Sequence, residues 1–226
     1  IKRAEKLQNQ TNNTKHSNTF LIWFLLFSCV IIAITINLRS KTISFVSRSI
    51  FNENILKLFQ REEQRGVNVY LILLYLSFLI NISVLIYLIS VKYGGQRGII
   101  TMLIILCGTT LVYILKHLGL YIIGRIFMIQ KSTDLYRFTI MIFNHALGMI
   151  LIPINFLIAF GPPEISKISL WIAIGVIGVL LILRTLRGIF IVFEYLNDRI
   201  FQIFVYLCAF EIAPMMILIK TIMNFS

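Results

Sequence analysis

From Phe20 onward the chain is a succession of apolar runs, each long enough to cross a bilayer and separated from the next by short polar breaks or one basic segment. A hydrocarbon core about 30 Å thick takes roughly 20 apolar residues as a helix. The runs at 20–38, 67–91, 99–127, 135–160, 168–193 and 200–223 all approach or exceed that length. No soluble core of this size has room for them, since 58% of the 226 residues are hydrophobic and only 13% charged. These proportions exclude a cytosolic enzyme, a disulfide-stapled secreted domain and a disordered chain. A transmembrane barrel would show alternating strands of about ten residues, and these runs are continuous. The expected fold is all-α: a polytopic transmembrane bundle of about six spans.

The breaks between the later runs read Lys92 to Gly98 (KYGGQRG), Lys131 to Asp134 (KSTD), Gly161 to Glu164 (GPPE) and Asn197 to Arg199 (NDR). Such residues stop helices, and connections this short make sequential helices antiparallel neighbours. Residues 1–19 are polar, basic and Asn/Gln-rich, the composition of a mobile tail. The run at 20–38 is too long for a signal-peptide core and no small-x-small site follows it, so it is read as a retained first span. Residues 39–66 differ in kind. There Ile43, Val46, Ile50, Ile55, Leu58 and Phe59 recur at roughly helical spacing among Arg48, Lys57, Arg61 and Arg65. This is an amphipathic segment that either lies in the interface with its basic face on lipid headgroups or packs on the other spans.

The net charge of +12 fits basic loops at an anionic membrane surface. No zinc, RNA-binding or helix-turn-helix signature points to nucleic acid. Six Lys/Arg between the first two runs favour a cytoplasmic 39–66 segment with both termini outside, although four in the tail argue the other way. Cys29, Cys107 and Cys208 sit inside apolar runs without CxxC spacing and read as small buried hydrophobes.

An ionisable side chain inside hydrocarbon is costly unless paired or hydrated, which makes each one a candidate functional residue. Those selected are Lys116, His117, Asn144, His145, Arg184, Arg187 and Glu211. Lys116, His145, Arg184 and Glu211 each lie about ten residues, hence about 15 Å, from the end of their span on one common membrane face. Four helices therefore place polar groups in one layer near the midplane. Glu211 is the carboxylate at that depth, with Lys116, Arg184 and Arg187 as available partners. Charge pairing would keep it ionised, and the surplus of positive charge suits an anionic ligand, a lipid phosphate or a partner's acidic residue. The plainer alternative is a structural ion-pair network with snorkelling arginines. Pro214, three residues after Glu211, opens a helical turn beside the carboxylate, and Pro153 makes a similar kink site in span four.

Two histidines at similar depth raise the possibility of haem, but His117 lies about 100° around the helix from Lys116, so no cofactor and no metal site is expected. Catalytic signatures such as GxSxG, HExxH and a Walker loop are missing from the sequence. Gly94 to Gly98 has no strand before it and reads as a simple turn. Ala173, Gly175 and Gly178 form a small face on span five that permits close helix packing.

The last run contains Tyr206-Leu207-Cys208-Ala209-Phe210-Glu211-Ile212-Ala213-Pro214. With Lys116 and the stretch from Asn144 to Pro153 (NHALGMILIP), it resembles an integral-membrane family of Bacteroidota, domain-of-unknown-function family 4271. The resemblance covers most of the chain outside the polar tail. It implies a bacterial inner-membrane protein and carries no activity or cofactor with it. Three readings follow for this chain. It is a small transporter or ion-coupled carrier, a non-enzymatic subunit or assembly factor of a larger envelope complex, or an enzyme acting on lipid-linked phosphates. The expected partners are the lipid bilayer, an anionic lipid among its components, and for the second reading another membrane protein.

Overall fold

The computed structural model describes residues 2–39, 42–63, 69–126 and 130–195. Among the described residues are α1 (Lys2–Leu38), α2 (Thr42–Phe51), α3 (Glu53–Glu63), α4 (Val69–Lys92), α5 (Ile99–Ile126), α6 (Gln130–Phe160) and α7 (Pro163–Tyr195), and no strand. Five of these helices are long and apolar enough to cross a membrane: α1 over Thr19–Leu38, then α4, α5, α6 and α7. The run at 200–223, with Cys208, Glu211 and Pro214, and the Asn197 to Arg199 break lie outside the described residues.

The helices are not equally buried. In α4 and α6 61% of the apolar window is buried, against 28% in α1 and 17% in both α5 and α7. The first two form an inner pair, and a glycine decides how closely they meet. A Cβ built on Gly148 would stand 2.7 Å from the Cα of Phe78, so the α6 backbone lies directly on that of α4. Close approach through a small residue is how helices gain dispersion energy where lipid offers no hydrophobic drive. Phe78, Leu85, Leu147, Leu151 and Ile154 fill the seam, and Leu170 and Ala173 of α7 pack onto it. A second cluster binds α1 and the start of α5 to α4 through Leu21, Leu25, Ile80, Val84 and Met102.

A polar clasp crosses the same seam. The Asn81 amide donates to Ser28 Oγ of α1 at 2.5 Å and to the Ser77 carbonyl at 2.8 Å. Asn155 of α6 donates to the Asn81 carbonyl at 2.9 Å. Three helices share one network, and a parallel bond of 2.6 Å joins Ser83 of α4 to Thr109 of α5. Such bonds contribute about 0.6 to 2 kcal/mol each in a membrane.

Several boundaries differ from the sequence expectation, each for a local reason. The helix of α1 begins at Lys2, inside the stretch whose composition marks a mobile tail. That stretch contains no Gly or Pro, and extending a helix already nucleated by the apolar run costs little. Lys131 to Asp134 fall in the first turns of α6 instead of a loop, since no Gly or Pro interrupts the chain there. At Lys92 to Gly98 the expected turn is present: Gly94 has φ +94°. The amides of Gly95 and Gly94 return to the carbonyls of Ser90 and Val91, a Schellman closure. Pro163 starts α7, the helix position that tolerates its missing amide.

The 39–66 segment divides into two helices at Asn52, whose side chain accepts from the amides of Asn54 and Ile55 and so starts α3. The apolar side of this pair packs on the bundle. Val46, Leu56 and Phe59 are fully buried with Leu135, Phe138 and Ile142 of α6, and Phe59 stacks on Phe45 at 5.5 Å. Cys29 is half-buried and Cys107 exposed on the outer side of α5, unlike the buried positions expected for them. Among the described residues nothing lies within 4 Å of a Cβ built on Gly175 or Gly178, and of that small face it is Ala173 that packs in their core.

Gly148→Ala is expected to lower stability by about 1–3 kcal/mol, because Phe78 backbone cannot move aside as a flexible side chain would. Gly175→Ala, with nothing within 4 Å, should leave it unchanged. Thermal unfolding of both variants in one detergent checks the pair.

Candidate functional site

The polar side chains of α4 to α7 gather around a tyrosine. Tyr75 of α4 shares a 2.9 Å hydrogen bond with Nε2 of His117 on α5. Its ring also meets His117 and His145 edge-on, at centroid distances of 5.6 and 6.1 Å. Tyr113, one turn before His117, stands 6.4 Å from Tyr75 and 5.1 Å from Phe78. Asn144 of α6 contacts Tyr75 through its side chain, and Arg184 of α7 acts electrostatically on Tyr75 and on His117. Lys116 also acts on His117. Edge-to-face contacts bring the positive rim of one ring to the negative face of another, which suits a crowded, dry layer.

Helix geometry explains the convergence. Tyr113, Lys116 and His117 occupy i, i+3 and i+4 on α5 and so share a side. Adjacent His145 and Asn144 both reach inward because α6 is enclosed on most of its circumference at that height: residues 142 to 148 are all buried. Lys116 and Arg184 come from the two least buried helices, yet they are only 6% and 5% exposed. Both are engaged in polar or charge interactions. A cation held in mid-span costs several kcal/mol unless compensated, so these two positions are where the bundle concentrates electrostatic energy.

Arg187 does something else. Its guanidinium donates to the carbonyl of Ser49, and to that of Ile50 at 2.7 Å. These are last-turn carbonyls of α2, without a helical partner of their own and carrying the negative end of its dipole. Arg187 thus ties α7 to the amphipathic arm. Pro153 lies within α6 on its exposed side, and the helix runs through it without ending. Glu211 and Pro214 lie outside the described residues.

Two groups in the layer are unusual. Among the described residues neither ring nitrogen of His145 reaches hydrogen-bond geometry with a partner, although the ring faces the Leu71 backbone, and nor does Nδ2 of Asn144, although its side chain lies at Tyr75. Buried polar atoms are almost always paired; oxygens of Thr42, Ser49 and Asn155 share this condition among the described residues. No group of three or more His, Cys, Asp or Glu among the described residues could hold a metal ion.

The residues the sequence reading passed over are Tyr75, Tyr113, Asn81 and Asn155. The asparagines carried a usable signal, since an amide at the centre of an apolar run needs an internal partner as surely as a charge does. The tyrosines did not stand out, because hydrophobic counting hides their hydroxyls.

Five long apolar helices around a buried polar layer define a membrane-embedded helical protein. The family described as Domain of unknown function (DUF4271) matches residues 20–222, and the chain belongs to it. No curated protein and no solved structure matches the chain.

His145→Leu removes two unpaired buried nitrogens and is expected to stabilise the fold by about 1–3 kcal/mol. The check is thermal unfolding in detergent beside wild type. A lowered transition would mean that the imidazole has a partner that stabilises the folded protein.

Proposed function

We propose that this chain is a multi-pass protein of the bacterial inner membrane that acts as a small transporter or ion-coupled carrier for an anion. The observation that carries the reading is the burial of Lys116 and Arg184 within candidate spans, beside the Tyr75, His117 and His145 cluster. Positive charge is expensive there, and an anion-binding layer gives it a purpose. In this reading Glu211 is the switchable carboxylate. Ionised, it neutralises the cations; protonated, it releases them to a substrate anion. Competition of one carboxylate and one substrate for the same cations couples proton movement to anion movement without any covalent step. The orientation assigned is cytoplasmic for the α2–α3 arm and for the basic end bearing Arg125 and Arg137, following the excess of Lys/Arg there.

Glu211→Gln is expected to abolish function while abundance and unfolding temperature stay at wild-type values. The assay is complementation of a deletion strain, with membrane levels measured by blot. Loss of the protein itself would mean that Glu211 is a structural brace, and the carrier reading would fail.

The second reading, a non-enzymatic subunit or assembly factor of a larger envelope complex, draws on α5 and α7. With 17% of their windows buried, they offer long apolar sides that another membrane protein could cover as well as lipid does. A stoichiometric partner after mild-detergent purification from native membranes, together with full function of Glu211→Gln, supports this reading over the first.

A further inference from the structure

A half-open groove of about 320 Å³ runs between α4, α5 and α6, at the lower end of the volumes that hold small ligands. It follows one side of α5: Thr110, Tyr113, His117 and Tyr121 recur at helical spacing and span about 16 Å along the axis. Leu79 of α4 lines it on one side, and Arg137 of α6 on another. Its walls are almost wholly apolar, and its charge is confined to one end.

At that end α5 finishes and α6 begins. The guanidinium of Arg125 lies 5.2 Å from the Tyr121 ring centroid, and that of Arg137 lies 5.7 Å from the same centroid. Arg137 also meets the Asp134 carboxylate at 3.4 Å. Its Nε is shielded from solvent and has no hydrogen-bond partner among the described residues. The Arg137 side chain is 33% exposed, so a headgroup at the groove's end can reach it.

The shape and the charge together select an occupant. A small soluble anion would meet the arginines and leave the apolar slot unfilled. A helix from a partner, about 10–12 Å across with its side chains, is too broad for a slot of this volume. An amphiphile with one anionic head and a narrow apolar tail matches both. We propose that the groove binds an anionic phospholipid of the surrounding bilayer. Its phosphate lies on Arg125 and Arg137, and one acyl chain lies along α5 toward Thr110. Arginine suits this role because its planar fork meets two phosphate oxygens at once. The Tyr121 ring sits beneath both guanidiniums and holds them at interface height, and Asp134 fixes the orientation of Arg137. Tyr75 and His117 of the polar cluster also line the groove, so the lipid borders that cluster, but its binding makes no use of Lys116, Arg184 or Glu211.

The test uses the full chain in nanodiscs containing equal phosphatidylglycerol and phosphatidylcholine, read by native mass spectrometry after release. Wild type is expected to retain one phosphatidylglycerol in preference to phosphatidylcholine. Arg125→Gln, at an exposed position, should reduce that preference about fivefold, the effect of one basic residue near an anionic lipid. Leu118→Trp, on a side chain that is 50% exposed, should fill the slot and remove the bound lipid without altering the unfolding temperature. Retention that ignores headgroup, or that survives both substitutions, overturns the proposal. So does displacement by excess inorganic phosphate, or a second copy of the chain that dissociates on Leu118→Trp.

Discussion

The contact on which the bundle depends is the meeting of α4 and α6 backbones at Phe78 and Gly148. In a bilayer, apolar surface gains nothing by leaving lipid, so helices are held by dispersion at short range and by hydrogen bonds that have nowhere else to go. This seam supplies both. The glycine brings the backbones together, and a few residues away Asn81 and Asn155 bond across the gap that proximity makes short enough. The other helices arrange around that pair: α1 through Ser28, α5 through Thr109, and α7 through Leu170 and Ala173.

Polarity in the membrane is used for two different ends. The Asn81 clasp joins three helices through its amide bonds, with Oδ1 of Asn155 left without a partner among the described residues. Arg187 is likewise structural, spending its charge on the carbonyl end of α2. The layer around Tyr75 is different in kind. It contains two cations beneath the surface, two imidazoles on one aromatic ring, and unpaired nitrogens on His145 and Asn144. Buried cations beside two imidazoles are the physical reason for seeking function at Tyr75 and not at Asn81.

Much of the architecture was legible along the chain because run length and hydrocarbon thickness speak directly to each other. The candidates were less so. Lys116, His117, Asn144, His145 and Arg184 stand out by charge or polarity alone, and the structure sets them around Tyr75. Arg187 carries the same signal and sits only one turn from Arg184, yet it reaches the arm. One turn of helix is enough to move a long side chain from the bundle interior to its end. Tyr75 was invisible because a tyrosine in an apolar run is usually packing, and only its 2.9 Å bond to His117 reveals otherwise.

Sequence by itself determined the apolar surroundings, the helical class and the length of the apolar runs, since each depends on hydropathy and on the local chemistry of Gly, Pro and polar breaks. It also determined which side chains would be costly in lipid. Tertiary structure alone decided which of those costly groups meet, that the amphipathic arm packs on α6 through Val46, Leu56 and Phe59, and that Gly148 rather than Gly175 carries a close contact. The reason is that hydropathy is a property of single residues read along one helix, whereas rotation of a helix about its axis is chosen by its neighbours. A shift of one residue turns a side chain by about 100°, and no count along the chain contains that angle.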